Sequence, residues 1–313
     1  MSAPPVTPGS VTPGQAAQPR GAAAADRRAA WKESPFRRSM RRFLRHRLAT
    51  TGLIILLALA VIALFAPLIS PYNPNAVDLF LYQHPPNGAH WLGTDQAGRD
   101  VLTRLFYGAR VSLTVGVTAA LSAGIIGLVL GILAGYYGGW IDSVVMRLTE
   151  ITLSFPALVL IILIVAIIGP SLTTIVIVIA LTQWPIGCRI VRQSTRSIKE
   201  MDYILAARAT GSSGMRIMRR HVLTGVLPPL TVALTVLSAE SILLEAALSF
   251  LGLGVNVPVA SWGGMLQAAQ SLTTLSSQLW LWLPPGIAIA VAVLAVNFVG
   301  DGLRDALDTR QRV

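Results

Sequence analysis

"DYILAARATGSSGMRIMRRHVLTGVLP", Asp202–Pro228, is a basic helix-glycine-helix pattern placed among segments greasy enough for a membrane. Before it come "ALVLIILIVAIIG" (157–169) and "LTTIVIVIAL" (172–181); after it comes "LTVALTVLSAESILLEAALSFLGLG" (230–254). An amphipathic, positively charged insert between two such runs decides the reading of the whole chain. The runs are spans, and the insert is a loop with work to do on one side of the membrane.

Composition agrees. Of 313 residues, 53% are hydrophobic and 12% charged, with mean hydropathy +0.64. Soluble domains carry about 25% charged residues, so lipid is the main solvent expected. The net charge of +11 is segregated. Ten Lys and Arg lie in residues 1–47 and eight in Arg189–Arg220, each against two acidic residues. That pattern marks membrane topology rather than a phosphate-binding groove, so nucleic acid is not an expected partner. One cysteine, Cys188, excludes an internal disulfide and a cysteine-rich metal site.

Six spans are predicted, near Leu48–Ile69, Val111–Tyr136, Ser143–Ile168, Leu172–Cys188, Leu230–Phe250 and Leu283–Val299. Each is long enough for about 30 Å of hydrocarbon. The chain is therefore read as an all-α membrane protein. Residues 1–47 are a disordered, basic tail ending in a membrane-surface helix, "RRSMRRFLRHR". The six helices fill 48–303, with a loop at 189–228, and 304–313 form a second tail. The first apolar run is too long for a signal-peptide core and is expected to stay as an anchor. Both basic segments belong on the cytoplasmic side, which places both termini there. The balanced 71–110 connection and the uncharged 252–282 connection face outward.

Within the insert, Ile198, Met201 and Leu205 recur on one helical face, and Met215, Met218 and Val222 form a second stripe. Gly211 stands where a helix ends in left-handed geometry, and Ser212 or Ser213 can cap the next helix. Pro228 and Pro229 are expected to close the unit. Two exposed methionines beside a glycine wedge suit docking into a groove of a soluble partner. Arg196, outside the short helices, is expected to matter little.

The stretch "LAARATGSSGMRIMRRHVL" resembles the EAA loop of ABC-importer permeases, in the variant of the peptide and nickel permease family. Ala206, Ala207, Gly211, His221 and Leu223 fall on that pattern; Leu205 replaces its opening Glu, and Thr224-Gly225 replaces the usual Pro-Asn. "WLGTDQAGRDVLTRLFYGARVSL" (91–113) and "EAALSFLGLGVNVPVASWGGML" (245–266) are similar to segments of C-type dipeptide and oligopeptide permease subunits. The resemblance covers roughly 40–305 and implies a type I ABC-importer permease fold in a bacterial plasma membrane. It implies a second permease subunit, cytoplasmic ATPases that bind ATP and Mg, an extracytoplasmic binding protein and a peptide substrate. No cofactor is expected on this chain, and no P-loop pattern occurs in it. A nickel importer of the same family and a stand-alone secondary transporter are the alternatives. Ser213, Met215, Met218 and Arg220 join the five matched residues as candidate ATPase contacts.

Ionisable groups inside spans mark either function or pairing. Glu150 follows Arg147 by three residues, so the translocation path and an intrahelical pair are both open. Glu240 and Glu245 lie about 140° apart on a helical wheel. Glu240 is favoured for the path because Ser238 and Ser241 make its surroundings polar; Glu245 is a second path candidate or a brace against the partner subunit. Asp95, Arg99 and Asp100 are candidates for binding-protein docking, with capping and mutual pairing as the rival reading. His84 and His90 have weak ligand spacing and are assigned no metal site. Asp301 and Asp305 beside Arg304 read as a solvated face.

Overall fold

The computed structural model describes residues 35–255 and 258–307. The expected disorder of residues 1–25 and the end of the 304–313 tail lie outside the described residues. Helix α1 (Pro35–Arg45) turns at His46 into the first span, α2 (Arg47–Ile69). His46 Nδ1 accepts from the Ala49 amide at 3.1 Å, and its Nε2 lies 3.5 Å from Asp305. Phe43 is buried with Ala49 and Ala306. The basic helix is thus pinned to the last span while Arg41, Arg42 and Arg45 stay exposed.

Helix α3 (Val101–Tyr137) begins ten residues before the predicted second span, because Asp100 caps it by accepting from the Thr103 amide at 2.7 Å. At the insert-side end, Gly138 (φ +68°) and Gly139 (φ +55°) reverse the chain. The third span was expected as one straight helix over 143–168. It is broken: α4 (Gly139–Ser154) and α5 (Ala157–Ile168) meet at 86°. Phe155, held extended at φ −101° and ψ 140° by the following proline, is the physical reason. Among the described residues, five single helices and this bent pair are long and apolar enough to cross a membrane.

The fourth span, α6 (Leu172–Lys199), runs eleven residues past its predicted end, and α7 (Asp202–Ala209) follows after a break. The second short helix, α8 (Gly214–Ile217), passes through a π-helical turn at Met218–Val222 straight into α9 (Leu223–Phe250). Pro228 and Pro229 therefore lie inside a helix rather than closing the insert. Their missing N–H groups leave the Thr224 and Gly225 carbonyls, beyond the π turn, without the usual helical donors, which spans tolerate where other groups can satisfy them. On the opposite side lie α10 (Trp262–Ala268) and α11 (Leu272–Ser277), before the last span α12 (Leu279–Leu307).

The most extensive helix contact joins α3 to α6. It is made by small residues, as expected where lipid is the competing solvent. A Cβ on Gly127 would come 2.7 Å from the Cys188 nitrogen, one on Gly131 2.7 Å from the Cys188 oxygen, and one on Gly135 2.7 Å from Thr195 Cβ. Gly131→Val must push the two backbones apart, at a cost of about 1–3 kcal/mol for overpacking. The thermal midpoint of the purified chain in detergent should fall accordingly; an unchanged midpoint would show that this contact is loose.

Candidate functional site

The insert is built on the bundle, not suspended from it. Ile198, Ile204, Ile217, Met218, Val222, Val226 and Leu230 form one buried cluster with Tyr136 and Val191. Lys199 Nζ lies 6.0 Å and the Arg208 guanidinium 5.2 Å from the Tyr136 ring centroid, so two cations share one aromatic ring. Tyr203 and His221 rings are 5.8 Å apart.

Gly211 has φ +82°, as the sequence predicts, and closes α7 in a Schellman turn. Ser212 N–H donates to Ala207 C=O at 3.0 Å and Gly211 N–H to Arg208 C=O at 2.9 Å. Open space surrounds its missing side chain, so backbone conformation, not crowding, requires glycine within this chain. Ser213 occupies the cap position of α8 without a side-chain capping bond.

Two expectations need correction here. Met218 is 5% exposed and belongs to the core; Met215, at 59%, is the one methionine of the pair on the surface. Met218 and Val222, four residues apart, share the buried face with Ile217, so the expected stripe parts at Met215, which faces away from it. The stripe of Ile198, Met201 and Leu205 is also split: Ile198 is buried, whereas Met201 and Leu205 stand exposed beyond the helix break. The exposed surface carries Tyr203, Leu205 and Met215 beside Arg216, Arg219 and Arg220, with a shallow pocket at Ser213 and Met215. Ala206 is exposed too; Ala207, His221 and Leu223 are half-buried.

Sequence reasoning missed Asp142. Buried at the start of α4, it accepts from Arg192 Nε, from Arg192 Nη2 at 2.6 Å and from Arg196 Nη2 at 2.5 Å. Arg196, outside the short helices, thus helps to hold Asp142. The signal was present as two arginines four residues apart facing one lone acid after a Gly-Gly turn.

The three carboxylates in spans separate cleanly. Glu245 is fully buried: Ser112 donates to Oε2 at 2.8 Å and Ser249 to Oε1 at 2.7 Å. Ser112 Oγ in turn accepts from the Trp262 amide at 3.3 Å. Together these bonds tie α3, α9 and α10 to one another within this chain. Glu240 is half-buried, 3.5 Å from Gln183 Nε2, while Ser241 donates to Gln183 Oε1 at 2.9 Å. Glu150 is exposed and lies 3.5 Å from Arg147, the intrahelical pair.

Asp95, Arg99 and Asp100 are likewise partnered within the chain. Asp95 accepts from the Ala97 and Arg99 amides at 2.8 and 3.0 Å and from Arg99 Nε at 2.8 Å. Arg104 approaches it at 3.5 Å. Asp100 caps α3 and holds His90 Nδ1 at 2.9 Å. Both acids are buried, and capping and mutual pairing account for their partners within this chain. Among the described residues, no group of three or more His, Cys, Asp or Glu side chains is placed to hold a metal ion.

Comparison with known proteins matches this architecture. Residues 127–313 match the family described as binding-protein-dependent transport system inner membrane component, and residues 34–86 match the N-terminal transmembrane domain of oligopeptide transport permease C. A protein named as a peptide permease of Brucella suis is 42% identical over 276 residues, covering 88% of this chain and 91% of its own length. The dipeptide transport system permease protein DppC of Alkalihalophilus pseudofirmus is 41% identical over 279 residues, covering 89% and 91%. A chain of the MetNI methionine ABC transporter, in an inward-facing conformation, shares the fold with TM-score 0.53 at 20% identity, over 66% of this chain and 96% of that one. The chain belongs to the binding-protein-dependent transport system inner membrane component family, whose members are multi-pass permease subunits of ABC transporters.

Proposed function

We propose that the chain is one of two permease subunits of an ATP-driven importer of di- or oligopeptides, with both termini and the Asp202–Val222 insert in the cytoplasm. The observation that carries this reading is the insert itself. Two short helices, joined by a Schellman turn at Gly211, present exposed Tyr203, Leu205 and Met215 next to three arginines, while their other faces are fixed in the bundle. An exposed apolar patch rimmed by charge suits a protein partner. ATP and Mg belong to that partner, a cytoplasmic ATPase. Continuity of Gly214–Phe250 as one span-length rod gives the partner a direct mechanical route into the membrane. Peptide as substrate follows from the peptide and dipeptide permeases that the chain is similar to. A binding protein would deliver it at the opposite face, where Phe80 and Trp91 are exposed and Asp95 and Asp100 are not.

Gly211→Val forces a β-branched residue into φ +82°, where crowding at Cβ opposes it. Met215→Asp places a charge in an apolar contact. Both variants should insert normally yet show at least severalfold less ATPase co-purification or coupled hydrolysis in membranes. Normal attachment and normal coupling in both would overturn the docking assignment.

The carboxylates give a separate contrast. Glu240→Gln should lower peptide uptake while leaving assembly and basal hydrolysis intact, because its partner Gln183 is already held by Ser241. Glu245→Ala should instead destabilise the chain by about 2–4 kcal/mol, leaving a cavity and orphaned hydroxyls. Thermal unfolding of both variants beside uptake measures the split; unchanged uptake in Glu240→Gln removes it from the path.

A further inference from the structure

A groove of about 570 Å³ opens between α4 and α6 near the insert-side end of the bundle. Its charged lining is Asp142, Arg147, Glu150, Arg189 and Arg192. The acids do not balance it. Asp142 is saturated by Arg192 and Arg196, and Glu150 meets Arg147 only at 3.5 Å with both side chains largely exposed, a pairing of little strength. Arg189 is exposed, and its guanidinium has no ion pair or hydrogen bond among the described residues.

Arg189 sits one helical turn deeper into α6 than Arg192. Its own face continues as exposed Ile186 on one side and Gln193 on the other. Beyond Arg147, at the edge of the groove, Val144, Leu148 and Ile151 form an exposed apolar stripe along the next face of α4. On that side the cationic crevice gives way to side chains suited to acyl tails. A guanidinium near the end of a span reaches the interface where headgroups lie, and its planar fork matches a phosphate.

We propose that this groove holds the phosphate headgroup of an anionic membrane lipid, bound by Arg189 and assisted by Arg147, with the tails along Ile186, Val144, Leu148 and Ile151. Basic pockets between spans are suited to such headgroups. The proposal needs only the membrane-spanning architecture, so it stands or fails independently of the ATPase and peptide readings.

The test uses the full chain purified in mild detergent with its co-purifying subunits, exposed to phosphatidylglycerol or phosphatidylcholine and examined by native mass spectrometry. Wild type should retain phosphatidylglycerol and not phosphatidylcholine. Arg189→Gln should lower that retention about tenfold, the scale of one charge-assisted hydrogen bond, and Arg147→Gln should lower it less. Arg304→Gln, on the exposed face at the end of α12, should retain it fully. Equal retention in wild type and Arg189→Gln would overturn the site. Equal binding of phosphatidylcholine would remove the headgroup charge from the argument. Displacement by inorganic phosphate alone would make it a free-anion site and overturn the lipid assignment. An Arg189→Cys chain that cross-links to a neighbouring subunit, with no lipid retained, would overturn it in favour of a subunit contact.

Discussion

The close approach of α3 and α6 is the constraint on which the other arrangements rest. In lipid, apolar side chains gain little by meeting one another, so helices associate where their backbones can come within dispersion range. Gly127, Gly131 and Gly135 remove the obstacle at four-residue intervals, on the side of α3 that meets Cys188, Val191 and Thr195. Once α6 is fixed there, its polar end is carried past the apolar layer at a set angle. Arg192 and Arg196 then reach Asp142, and Val191 and Ile198 offer the floor on which the insert is laid.

Polar groups in this bundle divide by whether the chain itself satisfies them. Glu245 has two serine donors and joins three helices, and Asp142 has two guanidinium partners. Such groups act as fasteners, and removing one partner strands the other in a poor solvent. Glu240 is different: it has one long contact and remains half-covered. The contrast between closed and open polar groups, more than the presence of a charge in a span, separates structure from candidate function here.

Much of this was legible in the sequence, because span length, charge segregation and a left-handed glycine are local properties. The six apolar runs, the basic insert and the positive φ of Gly211 all follow from composition and spacing. What escaped was non-local. That Asp95 and Asp100 are spent inside their own loop depends on where Arg99, Arg104 and His90 fold back. The partners of Glu245 are Ser249, one turn along the same helix, and Ser112, 133 residues away. The break at Phe155–Pro156 was written in the sequence and was outweighed by the apolar runs on either side of it.

The π turn at Met218–Val222 carries a consequence for how this region can vary. It uses five residues where an α-helix would use about four, so Ile217 and Val222 share an azimuth while Val226 and Leu230 continue it at ordinary spacing. The extra residue is absorbed within the turn, so one buried face runs unbroken from the insert into the span. Deleting one residue within Met218–Val222 would restore regular winding with Ile217 and Val222 four positions apart, about 40° off a common azimuth and still on the buried face. Tyr203 and Met215 would keep roughly their present direction. Deleting one residue from the regular stretch after Val222, with the π turn kept, would instead turn Ile217 by roughly 100° against Leu230 and re-aim the surface. A one-residue change in chain length is accordingly absorbed at the π turn and not below it.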